Sequence, residues 1–194
     1  MIRVEDVLHA YRHGFFPMAE SREGEVSWCQ PYRRAVVPID AWSPSRSLRR
    51  ILREGRFTLR IDSDFEGVIR NCAMPRVAEA ETWLSGEIIE VFVKLHHLGI
   101  AHSVESWQDG ELVGGLYGLA MGGAFFGESM FFSRPHASKV AFANLVCHLR
   151  DRGYRLLDAQ IMNPHLQLLG AVEIDHEAYM QQLAEALGKK LYFK

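Results

Sequence analysis

Residues 112–133, LVGGLYGLAMGGAFFGESMFFS, constrain the fold more than any other stretch of this chain. Val113 and most of residues 116–119 and 124–132 are aliphatic or aromatic, and Gly122-Gly123 sits between the two runs. Two apolar strand-like runs meeting at a glycine pair predict an antiparallel hairpin, because a tight turn needs residues that tolerate positive φ. Glu128 interrupts the second run. An isolated carboxylate in a strand of this composition is costly to bury without a partner, so it marks a cleft, an exposed face or a structural ion pair. Gly114, Gly115, Gly118 and Gly127 leave room for a ligand or another backbone to approach the strands.

Size and composition narrow the class. A chain of 194 residues holds one well-cored domain or one with a small appendage. Hydrophobic residues at 48% and charged residues at 24% exclude a disordered, collagenous or coiled-coil protein. The longest apolar runs fall short of the roughly 20 residues that span a bilayer, and the acidic, amphipathic start MIRVEDVLHAYRHG is unlike a signal peptide. A cytosolic protein is expected. Cys29, Cys72 and Cys147 are widely spaced and form no CxxC pair, which fits thiols of a reducing compartment. His96, His97 and His102 lack the companion ligands of a metal site, so no metal is expected. With a formal net charge of −2, any nucleic-acid contact must come from a local patch.

Taken in order, Val4, Val7, Leu8 and Tyr11 form the apolar stripe of a helix over 4–13, and the turn-rich, aromatic segment 15–34 completes a small N-terminal subdomain, 1–34. Residues 43–55, SPSRSLRRILREG, predict a helix capped by Ser43, with Pro44 at its first position and Gly55 at its end. On it, Arg46, Arg49, Arg50 and Arg53 fall at i, i+3, i+4 and i+7, and Arg56 and Arg60 extend the patch into the next strand. With Glu54 as the nearby acid, this stripe repels itself unless distant carboxylates or a polyanion supply the counter-charge. Further helices are predicted over 64–72, capped by Ser63, and over 86–99, 137–153 and 175–188. Strands 101–107 and 155–162 flank the hairpin region, and Asp109-Gly110 marks another turn. The helix between the FFGESMFF strand and RLLDAQIM requires a right-handed crossover that sets those strands parallel and brings Asp158 and Gln160 beside Glu128. The predicted fold is α+β with a mixed, mostly antiparallel sheet, residues 35–194 forming the larger domain.

No G-x-S-x-G elbow, Walker loop or GxGxxG helix start occurs. What remains near the hairpin is Glu128, Ser129, Asp158, Gln160, Asn163 and His165; a carboxylate two residues from an amide on one strand face is a device for positioning and deprotonating an amine, Asp158 polarising a group that Gln160 holds.

The motifs AYRHGFFP, ETW, GGLYG, FFGESMF, ASK, LLDAQ and NPHLQLLGA, in this order across nearly the whole chain, resemble those of the leucyl/phenylalanyl-tRNA–protein transferases. The resemblance implies an acetyltransferase-like (GNAT-like) C-terminal domain behind the small N-terminal one. It implies transfer of leucine, phenylalanine or, less efficiently, methionine from aminoacyl-tRNA to proteins beginning with Arg or Lys, which marks them for N-degron proteolysis. No cofactor is implied, since the aminoacyl ester is already activated, and a monomer is expected. Glu128, Asp158 and Gln160 match the family's reaction centre, with Gln160 expected to position the attacking amine rather than act as a true base. Leu116, Phe125, Ser129 and Met130 would line the aminoacyl pocket with Phe92, and Trp83 would stack on the terminal adenosine. Arg46, Arg49, Arg50, Arg53, Arg56 and Arg60 would grip acceptor-stem phosphates. Met18 stands where other members carry a tryptophan after FFP, and Phe92 where a tyrosine can occur. Two other readings stay open: an acyl-CoA N-acetyltransferase, against which the glycine-free SRPHASK segment argues, and a non-catalytic RNA- or peptide-binding module.

Overall fold

The computed structural model describes residues 2–19, 21, 24–74 and 84–194. The chain runs α1 (Val4–Arg12), β1 (Phe16–Ala19), β2 (Val26–Cys29), β3 (Arg33–Val37), α2 (Arg46–Glu54), β4 (Thr58–Ile61), α3 (Phe65–Cys72), α4 (Gly86–His97), β5 (Ala101–Gln108), β6 (Glu111–Met121), β7 (Ala124–Phe132), α5 (Ala137–Asp151), β8 (Leu156–Gln160), α6 (Pro164–Leu168), β9 (Val172–Asp175) and α7 (His176–Leu187). β1 and β2 form a small hairpin; the other strands make one sheet in the order β4-β5-β6-β7-β8-β3-β9. Every pairing in that sheet is antiparallel except β7 with β8, which α5 connects. The expected α+β architecture and parallel crossover are both present. Among the described residues no helix is long and apolar enough to cross a membrane.

Successive strand residues point to opposite faces of a sheet, and both faces here are covered. Tyr117, Phe126 and Leu156 join one core with α1, α3, α4 and α7, while their neighbours Leu116, Phe125 and Leu157 join a second with α2 and α5. Burial on both sides explains why β6 and β7 read as continuous apolar runs. The 122–123 turn needs positive φ at Gly122 (+58°) and not at Gly123, the pattern of a type II′ hairpin. Gly114 makes room for protein rather than ligand: a Cβ there would lie 2.5 Å from that of Ala137, where the start of α5 crosses β6.

Two helix starts differ from expectation. α2 begins at Arg46 with Ser45 as its cap, the hydroxyl accepting from the Leu48 amide at 3.3 Å, so Ser43 and Pro44 stay outside it. Asp64, not Ser63, caps α3: its Oδ1 accepts from the Gly67 amide at 2.9 Å, while the Ser63 and Asp64 amides both donate to Glu105. The expected boundary at 34/35 falls within β3, and Tyr11 and Phe16 of the N-terminal segment pack into the first core.

Candidate active site

The sheet opens between β7 and β8. Their parallel pairing runs through Ala124↔Leu156, Phe125↔Leu157 and Phe126↔Asp158 and ends there. Each strand then carries an extra residue. Tyr117 faces Ser129 while Gly118 faces Gly127, which leaves Glu128 as the bulged residue of β7. Ala35 faces Gln160 while Val36 faces Asp158, which makes Ala159 the bulge of β8. Bulges re-aim side chains and bend a strand away from its neighbour. Gln160 follows with φ +64°, a left-handed conformation that a non-glycine residue holds only when its surroundings enforce it.

A cleft of about 650 Å³ occupies the opening. Phe16, Met18, Val37, Leu116, Phe142, Leu145 and Leu157 supply apolar walls, and Glu128, Asp158 and Gln160 the polar end. One Glu128 oxygen, Oε1, accepts from the Tyr11 hydroxyl at 2.7 Å and from Gln160 Nε2 at 3.1 Å. The other, Oε2, is buried and has no hydrogen-bond partner among the described residues. Burial in this setting raises the Glu128 pKa from 4.5 to about 7, the hydrogen bonds from Tyr11 and Gln160 opposing the rise, Asp158 adding to it and Arg34 opposing it. Tyr11, buried against that charge, is pushed well above its ordinary range and stays a hydrogen-bond donor.

Asp158 has a different state. Its Oδ1 accepts from Arg34 Nε at 2.9 Å and the Gln160 amide at 2.8 Å; its Oδ2 accepts from Arg34 Nη2 and the Tyr179 hydroxyl, each at 2.8 Å. Both partners of the ion pair are buried, at 1% and 0% exposure. With both oxygens filled, Asp158 is a fixed anchor. It holds the backbone of Gln160, whose side chain reaches Glu128 instead, so the expected polarisation of a Gln160-held group by Asp158 gives way to positioning.

The other expected residues divide. Leu116, Ser129 and Met130 line the cleft, as does Met18. Phe92 and Phe125 do not: both are fully buried, Phe92 edge-on to Tyr117 at 5.5 Å and Phe125 stacked on Phe193 at 5.2 Å. Phe92 packs into the core on the inner side of α4, and Phe125 packs into the second core from β7. Trp83 lies outside the described residues. Arg46, Arg49, Arg50, Arg53, Arg56 and Arg60 are all exposed. Glu54 lies 3.8 Å from Arg50 and 2.9 Å from Arg56, while Arg60 stacks over Trp107. Among the described residues no cluster of three or more His, Cys, Asp or Glu could hold a metal ion.

Tyr11, Arg34 and Tyr179 escaped the reading of the sequence as site residues. Tyr11 reads as one position of an apolar stripe. Arg34 carried a usable signal, a charge leading directly into the apolar strand Ala35-Val36-Val37.

Fold and site together define an α+β protein whose cleft joins an apolar pocket to a buried carboxylate with a raised pKa. The chain belongs to the leucyl/phenylalanyl-tRNA protein transferase family: the family model of that description matches residues 36–184, and that of its N-terminal domain matches residues 1–31. The leucyl/phenylalanyl-tRNA–protein transferases of Chlorobaculum tepidum and Chlorobaculum parvum are 72% and 70% identical to it over 193 residues, covering 100% of each chain. Among solved structures, L-PGS from Bacillus licheniformis superposes with a TM-score of 0.47 at 17% identity, over 82% of this chain and 51% of that one.

Proposed function

We propose that this chain transfers leucine, phenylalanine and, less efficiently, methionine from aminoacyl-tRNA to the N-terminal α-amine of proteins beginning with Arg or Lys. It acts in the cytoplasm as a monomer and marks its acceptors for N-degron proteolysis. The observation that carries this reading is the meeting, in one cleft, of an apolar pocket and a buried Glu128 poised near neutrality with one oxygen free.

The chemistry follows from that oxygen. The acceptor amine attacks the ester carbonyl carbon, a C–N bond forms, and the C–O bond to the terminal ribose breaks. The amine proton passes to Glu128 Oε2, and the ribose oxygen leaves as a hydroxyl after taking a proton in turn. A free α-amine has a pKa of about 7.7–8.0, so a carboxylate near 7 is well matched to exchange its proton. Gln160 and Tyr11 orient Glu128, and the activated ester needs no acyl-enzyme. Leu116 and Met130 border the apolar pocket that takes the leucyl or phenylalanyl side chain. The division at 34/35 belongs to the same proposal, residues 1–34 supplying Tyr11 to a centre built on 35–194. The arginines of α2 and β4 would contact phosphates of the acceptor stem, and the acetyltransferase-like layout rests on the parting of β7 from β8.

The test is transfer of radiolabelled leucine or phenylalanine from tRNA to peptides beginning with Arg or Lys, with acetyl-CoA and the same peptides in a parallel arm. Label passing from tRNA without ATP or metal is expected. Transfer in the acetyl-CoA arm alone would replace this reading with acetyl transfer.

A further inference from the structure

Arg34 is the most deeply buried cation in the described structure, at 1% exposure, and the chemistry above does not use it. Its guanidinium is held from every side. Nε and Nη2 grip Asp158, Nη1 donates to the Gly14 carbonyl at 2.9 Å, and the rings of Phe16 and Tyr179 flank it at 4.6 and 4.5 Å. Two of these contacts lead towards Glu128. Through Asp158, Arg34 fixes the backbone amide of Gln160, whose side chain donates to Glu128. Through Gly14, three residues beyond Tyr11, it ties the end of the first helix to the sheet and so fixes the other donor. A planar guanidinium with a fixed fork can do this; a lysine point charge cannot.

We propose that Arg34 is the positioning residue of the transfer reaction: it locks both donors onto Glu128 Oε1 and leaves Oε2 as the oxygen that meets the amine. The inference rests on the reading of Glu128 as proton acceptor. The groups facing Glu128 are Tyr11 from α1, Tyr117 from β6, Arg34 from β3 and Asp158 and Gln160 from β8, with Tyr179 of α7 behind Asp158 and His165 of α6 on the cleft wall. Of the two charges, Asp158 drives Glu128 towards its neutral form and Arg34 opposes it. Removing Arg34 alone leaves Asp158 uncompensated, and the Glu128/Asp158 pair then holds a proton to higher pH.

The test compares Arg34→Lys, Arg34→Gln and the wild type by single-turnover transfer across pH 6–9, with ¹³C NMR titration of the glutamate carboxyls as a readout independent of activity. Arg34→Gln should lose transfer roughly a hundredfold at neutral pH, as a misplaced reacting group does. Its ascending limb and its Glu128 resonance should both move up by about one pH unit, with KM for aminoacyl-tRNA unchanged. Arg34→Lys should keep the limb in place and lose kcat, because charge is retained and geometry is not. If Arg34→Gln does not fold, the kcat loss at unchanged KM in Arg34→Lys decides. An equal loss at every pH with an unmoved Glu128 titration, or a fully active Arg34→Lys, would reduce Arg34 to a structural ion pair. A wild type whose Glu128 titrates near neutrality but which transfers nothing from tRNA would fault the proposed reaction instead and leave the geometry standing.

Discussion

Two buried glutamates sit in the same sheet with opposite hydrogen-bonding states. Glu105 of β5 is fully enclosed, and both its oxygens are occupied: Oε1 accepts from the Ser63 and Asp64 amides at 2.8 and 2.9 Å and from the Ser103 hydroxyl at 2.8 Å, and Oε2 from the Trp107 indole at 2.8 Å. Glu128 of β7 crowds two donors onto one oxygen and leaves the other empty. The first carboxylate ties the entry of α3 to the sheet; the second leaves one oxygen without a partner among the described residues, the oxygen that the proposed transfer uses. Burial and residue type are shared, so what separates structure from chemistry is the state of the last oxygen.

That contrast can be broken at either end. Glu105→Ala leaves two amides, a hydroxyl and an indole without their acceptor, and should cost about 3–5 kcal/mol in denaturant unfolding, with kcat per folded molecule at saturating tRNA little changed. Glu128→Gln should do the reverse to stability. Because its folded pKa is raised, to about 7, Glu128 stabilises the fold fully below about pH 4.5, and that contribution is lost as pH rises through 7. Glu128→Gln should therefore gain on the wild type across this window, by up to roughly 3 kcal/mol. Unfolding curves at pH 4.5 and 8 would reveal it; a constant difference between the two proteins would contradict it.

The Tyr11 hydroxyl lowers the Glu128 pKa. Tyr11→Phe should move the ascending limb of transfer up by about one unit, the worth of one hydrogen bond to a charged group. The smallest effect belongs to the surface. Arg46→Ala with Arg49→Ala should weaken tRNA binding and reduce the slope of log affinity against log salt by roughly one to two, without moving the pH limb.

Glu128 was legible in the sequence because a lone carboxylate in an apolar run contradicts its surroundings. The hairpin, the parallel crossover and the arginine face of α2 were legible for a similar reason, since each depends on residues close in the chain. Glu105 was not, since AHSVESW mixes polar and apolar residues freely. Nor were the partners of the site: Tyr11 lies 117 residues from Glu128 and Arg34 lies 124 from Asp158, separations that no local period reports. The role of Asp158 shifted for the same reason, because its spacing to Gln160 is visible in the sequence and the guanidinium that occupies it is not. Bulges at Glu128 and Ala159, which turn those residues into the cleft, leave no mark in hydrophobic alternation either.

The most direct measurement is single-turnover transfer by Glu128→Gln, which keeps the shape and the hydrogen-bonding capacity of the side chain and removes the proton acceptor. A proton-accepting Glu128 predicts a loss of about a hundredfold or more near pH 7, with aminoacyl-tRNA still bound and only the acceptor amine's own ionisation left in the pH profile. A variant with the wild-type rate and profile would contradict that role.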